Sequence, residues 1–113
     1  MFNHNMIDQT ISEIEAKVRS TASVGEDKKQ ELLGLLGRLK TEIAALEQTH
    51  SEQAGRIAGL TQKAAHDATQ QNSGALENSV AGLRSSVEEF EQSHPKLAQI
   101  VDNLSKTLAG WGI

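Results

Sequence analysis

Apolar residues repeat at alternating steps of four and three along most of this chain, and this spacing constrains the fold more than any other feature. The longest run occupies Leu32, Leu36, Leu39, Ile43, Leu46, His50, Gln53, Ile57, Leu60 and Ala64. Steps of four and three place every member on one face of an α-helix, at the a and d positions of a heptad. The pattern therefore predicts helical packing of the coiled-coil type.

One helix over about 26–71 accounts for this run. At 1.5 Å per residue it would be roughly 69 Å long, which is too long for the core of a small globular protein. The stretch "QQNSG", residues 70–74, is rich in turn residues and ends the pattern. The sequence therefore predicts a projecting coiled-coil arm.

Two further helices flank the long one. A helix over about 5–22 is predicted by Ile7, Ile11, Ile14 and Val18. A third, over about 75–109, keeps its apolar spacing through Pro95, so a kink or break is predicted near 94–95. Either a new helix begins with Pro95 in its first turn, where no N–H is needed, or one helix bends there. We favour the new start.

These segments predict an all-α fold with residues 1–113 in a single domain. Its form is an elongated antiparallel helical hairpin, coiled-coil-like, with the short N-terminal helix packed at its base. Along the arm only two helices meet, which buries too little apolar surface for a stable fold. A second copy is expected to cover the arm, giving a homo-oligomer, either a dimer or a tetramer. The candidate interface residues are Ile57, Leu60, Leu76, Leu83 and Phe90.

Polar residues interrupt the apolar face at His50, Gln53 and His94. In the antiparallel register these three fall at one level and predict a polar core layer, which costs stability but fixes the helix register. The alternative is a proton switch or a metal site formed by His50 and His94. Both hypotheses require the two histidines to be neighbours.

The C-terminal "LAGWGI" allows two interpretations. Trp111 continues the heptad phase and is expected to close the base of the hairpin, near Leu32 and Leu36. Alternatively, Trp111 and Ile113 form an exposed tail that docks on a partner or a membrane surface, although the flanking helix has few cations to favour a membrane.

Composition excludes several classes of function. The net charge is −4 and the basic residues are spread along the chain, so no nucleic-acid interface is expected. There is no cysteine, which excludes disulfides and thiol catalysis. No apolar stretch is long enough to cross a bilayer, so no membrane role is expected and the expected location is the cytoplasm. The motifs of zinc proteases, P-loops, EF-hands and serine hydrolases are absent, so neither catalytic residues nor a cofactor are predicted.

The C-terminal third resembles a known family. The matching elements are Phe90, Ser93-His94-Pro95, Leu97, Leu104, Leu108 and Gly112-Ile113, with a weaker match in the apolar pattern from Ile7 to Leu39. This region is similar to an uncharacterised bacterial family of short helical proteins, domain of unknown function 4404. The resemblance covers about two thirds of the chain and implies that residues 47–75 are an extension. It implies no activity.

These observations predict a non-catalytic function. We expect a self-associating helical scaffold or a protein-interaction module, with a partner that the sequence does not identify. A metal- or pH-responsive helical regulator that uses buried histidines is the alternative. An enzyme of unknown type is a further one.

Overall fold

The computed structural model describes residues 4–21, 25–70 and 72–111, and for residues 4–6, 73 and 111 it describes the backbone alone. The described chain is all-helical and compact, with extents of 38 × 24 × 23 Å. Its helices are α1 (His4–Ser20), α2 (Glu26–Glu47), α3 (Ser51–Thr69), α4 (Ser73–Val87) and α5 (Pro95–Trp111), with a 3-10 turn at Glu88–Phe90. The all-α class is confirmed.

Helix α1 forms where its apolar spacing predicts. Ile7, Ile11, Ile14 and Val18 are all buried, and the helix ends within two residues of the expected bounds. This apolar face contacts both α2 and α3. The N-terminal helix therefore covers two helices and not only the base of a hairpin.

The predicted single helix over 26–71 is wrong, because α2 ends at Glu47 and a separate helix, α3, begins at Ser51. At the break, the N–H of His50 donates to the Leu46 carbonyl at 2.8 Å, and the Thr49 hydroxyl contacts the same carbonyl at 3.4 Å. His50 then leaves the helical region, with φ −138° and ψ 64°. Thr, His and Ser favour helices less than Ala or Leu do, and Thr and Ser side chains compete for backbone partners. A run of three such residues, Thr49-His50-Ser51, therefore lies where the helix is interrupted.

Because of the break, α3 folds back along α1, α2 and α4 instead of extending the arm. A helix of roughly 69 Å would far exceed the longest dimension of the protein, which is 38 Å. Folding back buries apolar surface from several helices together, which is the main favourable term in folding. Within residues 25–70 and 72–111, no two-helix arm projects from the bundle.

The residues predicted to form an oligomer interface lie in a different environment from the one expected, because α3 packs within the bundle. Ile57, Leu76, Leu83 and Phe90 are buried by other helices of the same chain. Only Leu60 is half-buried, and it lies beside Gly82 of α4. The prediction that all five lie uncovered in one chain is wrong, because it rested on the extended arm.

Pro95 is the first residue of α5. Its missing N–H costs nothing there, since the first turn of a helix has no intrahelical acceptor for it. Of the two alternatives for Pro95, the structure has the new helix start. The predicted contacts of Trp111 and Ile113, as core closure or docking tail, lie outside the described side chains. No helix in the described part of the chain is both long and apolar enough to cross a membrane.

Candidate functional site

The structure brings His50 and His94 together although 43 positions separate them in the chain. Their ring centroids are 6.4 Å apart, with the planes nearly perpendicular at 85°. Phe90 contacts both, at 5.2 Å from His50 and 5.7 Å from His94, edge to face in each case. We call His50, Phe90 and His94 the histidine corner.

Two helix interruptions, the α2–α3 connection and the stretch between α4 and α5, build the histidine corner. His50 caps the start of α3, Phe90 ends the 3-10 turn and His94 directly precedes α5. The backbone of His94 is held by its N–H, which donates to the Phe90 carbonyl at 2.7 Å. The His94 carbonyl in turn accepts from Ala98 at 3.3 Å, in the first turn of α5. The corner therefore links the α2–α3 connection to the start of α5.

A neighbouring hydroxyl orients each imidazole. Thr49 Oγ1 lies 2.8 Å from Nδ1 of His50, and Ser93 Oγ lies 3.0 Å from Nδ1 of His94. Each of these contacts uses Nδ1, which leaves Nε2 of each ring for another partner. Histidines that bind metals are commonly oriented in this way through their other nitrogen.

Gln53 is the third member of the predicted polar layer, and it does not join the other two. It is half-buried on the first turn of α3. Among the described residues it donates no hydrogen bond to either histidine ring. The histidine corner is therefore a pair of imidazoles on an aromatic ring, and its role in fixing register stays a prediction.

As a ligand set, the corner offers two imidazole nitrogens. No third histidine or carboxylate joins them within the described residues. Imidazole suits divalent ions such as zinc, copper and nickel. Protein ligands could therefore fill two positions of a metal ion, with water in the others.

A second polar group, which the sequence analysis missed, surrounds Asp67. This aspartate is buried between α3 and α4. Ser79 Oγ donates to its Oδ2 at 2.5 Å, and Lys63 Nζ donates to the same oxygen at 3.3 Å. The hydrogen bond from Ser79 is the main cause that lowers the pKa of Asp67 below its usual 3.8, and Lys63 adds to it against the opposing effect of burial. The position of Asp67 among Ala64, Ala65 and Ala68 was the available signal.

Ser79→Ala is expected to destabilise the protein at neutral pH by about 1–3 kcal/mol, because a buried carboxylate loses its shortest hydrogen bond. The lowered pKa means that the ionised form of Asp67 is bound more tightly in the folded state. The contribution of ionised Asp67 to the free energy of unfolding is therefore full above pH 3.8, and it is lost as the pH falls through the pKa of Asp67 in the folded state. The difference between variant and parent should shrink on acidification.

Denaturant unfolding at a series of pH values from 7 to about 3 measures this difference. Ser85→Ala is the matched control, because Ser85 is exposed on the same helix. A Ser79→Ala effect equal to that of Ser85→Ala, or one that grows in acid, would contradict the assignment.

Comparison with known proteins identifies the family. The family model described as "Domain of unknown function (DUF4404)" matches residues 7–113. The match includes residues 47–75, which the resemblance had implied to be an extension. Comparisons with curated proteins and with solved structures gave no match. The chain, with its histidine corner at the start of α5, belongs to the family of domain of unknown function 4404.

Proposed function

We propose that the protein is a non-catalytic helical regulatory module that binds a divalent transition metal ion through His50 and His94. The observation that supports this best is the 6.4 Å separation of the two rings. Both side chains are half-buried and so keep some access to solvent. They come from different connections of the chain, so a metal ion would join two parts of the fold.

The distances suit zinc after a small adjustment. Zinc lies about 2.0–2.1 Å from each histidine nitrogen and prefers tetrahedral angles, which places two ligating rings with centroids about 5 Å apart. The observed separation is 6.4 Å. Metal binding would bring the ring centroids about 1.4 Å closer, through rotation of the two side chains. The hydrogen bonds to Nδ1 would then hold the rings in place.

Metal binding would act on the fold through linkage. A ligand that binds only the folded state stabilises it by about 2.7 kcal/mol when its concentration is 100 times the dissociation constant. The corner joins the α2–α3 connection to the start of α5. Bound metal would therefore stiffen these two junctions together, and a regulatory effect would follow from that change.

Zinc should raise the thermal unfolding temperature of the parent protein, and His50→Leu should abolish the rise. Calorimetric titration of zinc into the chain gives the stoichiometry, which is expected to be one ion per chain. The matched control is His66→Leu, because His66 is exposed on α3 outside the corner. It should respond to zinc as the parent does.

Two outcomes would contradict the metal hypothesis. An equal zinc response in His50→Leu would place binding elsewhere. No zinc response in the parent, together with stabilisation by His50→Leu, would favour the role in fixing register, since leucine replaces a polar group that packs on Phe90.

We also propose self-association of the chain. Four of the five residues expected at its interface are buried within one chain. Leu60 supports it, as a half-exposed leucine on the surface of α3. Sedimentation at micromolar concentration, with and without Leu60→Asp, tests it.

A further inference from the structure

A groove between α1 and α3 is the second place where polar side chains converge. We call it the α1–α3 groove, and its polar walls are formed by Glu13, Lys17, Gln62, Lys63 and His66, beside Gly59. Its volume is about 440 Å³. Small-molecule sites in proteins commonly have volumes of about 300–1,000 Å³, so the groove is large enough for a ligand.

The contact between Lys17 and His66 determines what the groove offers. Lys17 Nζ lies 2.8 Å from Nδ1 of His66. An ammonium group can only donate, so Nδ1 of His66 accepts and the ring proton lies on Nε2. Both side chains therefore contribute N–H donors to the same wall.

Other donors border the same space. Lys63 contributes an ammonium that is mostly exposed, while it also contacts Asp67. The Gln62 amide adds two N–H groups, and Glu13 is the single carboxylate on the walls. The walls thus hold two ammonium groups and one carboxylate, and the Lys63 ammonium is also paired with Asp67.

We propose that the α1–α3 groove binds the phosphoryl group of a phosphorylated small molecule. Two ammonium groups and an imidazole N–H form charge-assisted hydrogen bonds to phosphate oxygens, which are among the strongest in proteins. The groove is larger than phosphate alone needs, so room remains for an organic part. This site is separate from the histidine corner and does not depend on metal binding.

Gly59 allows the groove to be blocked without disturbing the fold. A Cβ added at Gly59 meets no atom within 4 Å, and the same is true of Gly37 on α2. Both glycines are exposed within helices, where leucine is the better helix former. Gly59→Leu should therefore fold well and fill the groove, and Gly37→Leu is its matched control.

The test is an NMR titration of the full chain with inorganic phosphate at constant ionic strength. We expect saturable shifts in α1 and α3, with a dissociation constant on the order of 1–10 mM. Gly59→Leu should weaken binding by roughly tenfold or more, whereas Gly37→Leu should leave it unchanged. Equal binding by Gly59→Leu, or shifts that do not saturate, would overturn the proposal.

Two variants that each remove one lysine charge distinguish a specific phosphate site from nonspecific electrostatic attraction. Lys17→Met should weaken phosphate binding by roughly tenfold. Lys106→Met removes the same charge from an exposed position on α5 and should change binding less than about twofold. Equal losses in both variants would overturn the site. Acetate that binds as tightly as phosphate would overturn the phosphoryl assignment.

Discussion

Ile57→Asp is expected to abolish the folding of the isolated chain. Ile57 is fully buried, with 0% of its surface exposed. An unpaired carboxylate there would have to lose its water or take up a proton, and either change costs several kcal/mol. A small protein is stable by only about 5–15 kcal/mol. Circular dichroism should show little helix and no cooperative thermal transition.

The same substitution at Leu60 gives the matched control. Leu60 is half-exposed, so an aspartate there keeps its water, and Leu60→Asp should fold with a loss of about 1–2 kcal/mol. In an extended coiled-coil arm, Ile57 and Leu60 would both lie on the buried apolar face, so neither Ile57→Asp nor Leu60→Asp would fold. Failure of both would contradict the compact bundle. Dissociation of an oligomer by Leu60→Asp, seen in sedimentation, would support self-association.

Phe90→Ala should destabilise the protein by about 3–5 kcal/mol, because it removes a buried aromatic ring and leaves a cavity. Phe90 is 3% exposed and contacts both histidine rings. The loss should therefore combine core packing with the support of the histidine corner. Urea unfolding at neutral pH measures it.

Phe90→Leu separates the two contributions. Leucine keeps much of the apolar volume, so its cost in stability should be about 1.5 kcal/mol or less. It removes the ring that both imidazoles contact, so the positions of His50 and His94 should change. A loss in Phe90→Ala no larger than that in Phe90→Leu would contradict the buried position of the ring.

Much of the helical core was predictable from apolar spacing. Leu32, Leu36, Leu39, Ile43 and Leu46 are all buried on α2, as their phase indicates. The end of α2 before His50 was not predictable from the apolar spacing. The steps of four and three continue unchanged across residues 48–50, so they do not distinguish one helix from two. Two polar residues at successive core positions, His50 and Gln53, were the signal. They interrupt the apolar face where the chain turns.

The histidine corner was predictable in part. The antiparallel register placed His50 near His94, and their rings are neighbours. That register assumed a continuous long helix, whereas in the structure the two residues lie in two connections between helices, α2–α3 and α4–α5. Pro95 signalled one break because it lacks an N–H. The Lys17 contact with His66 depends on α3 folding back along α1, so local spacing contained no sign of it.

Cross-relaxation between the ring protons of His50, Phe90 and His94 tests the central claim of this account most directly. The interruption of the helix at residues 48–50 brings these rings together in the histidine corner. The ring centroids are 5.2 Å apart for His50 and Phe90, 5.7 Å for Phe90 and His94, and 6.4 Å for His50 and His94. Ring-to-ring peaks from Phe90 to both histidines are expected in the folded, metal-free protein. Absence of these peaks, together with an unbroken helical pattern of amide contacts from Leu46 through Ala54, would contradict the helix break and the histidine corner.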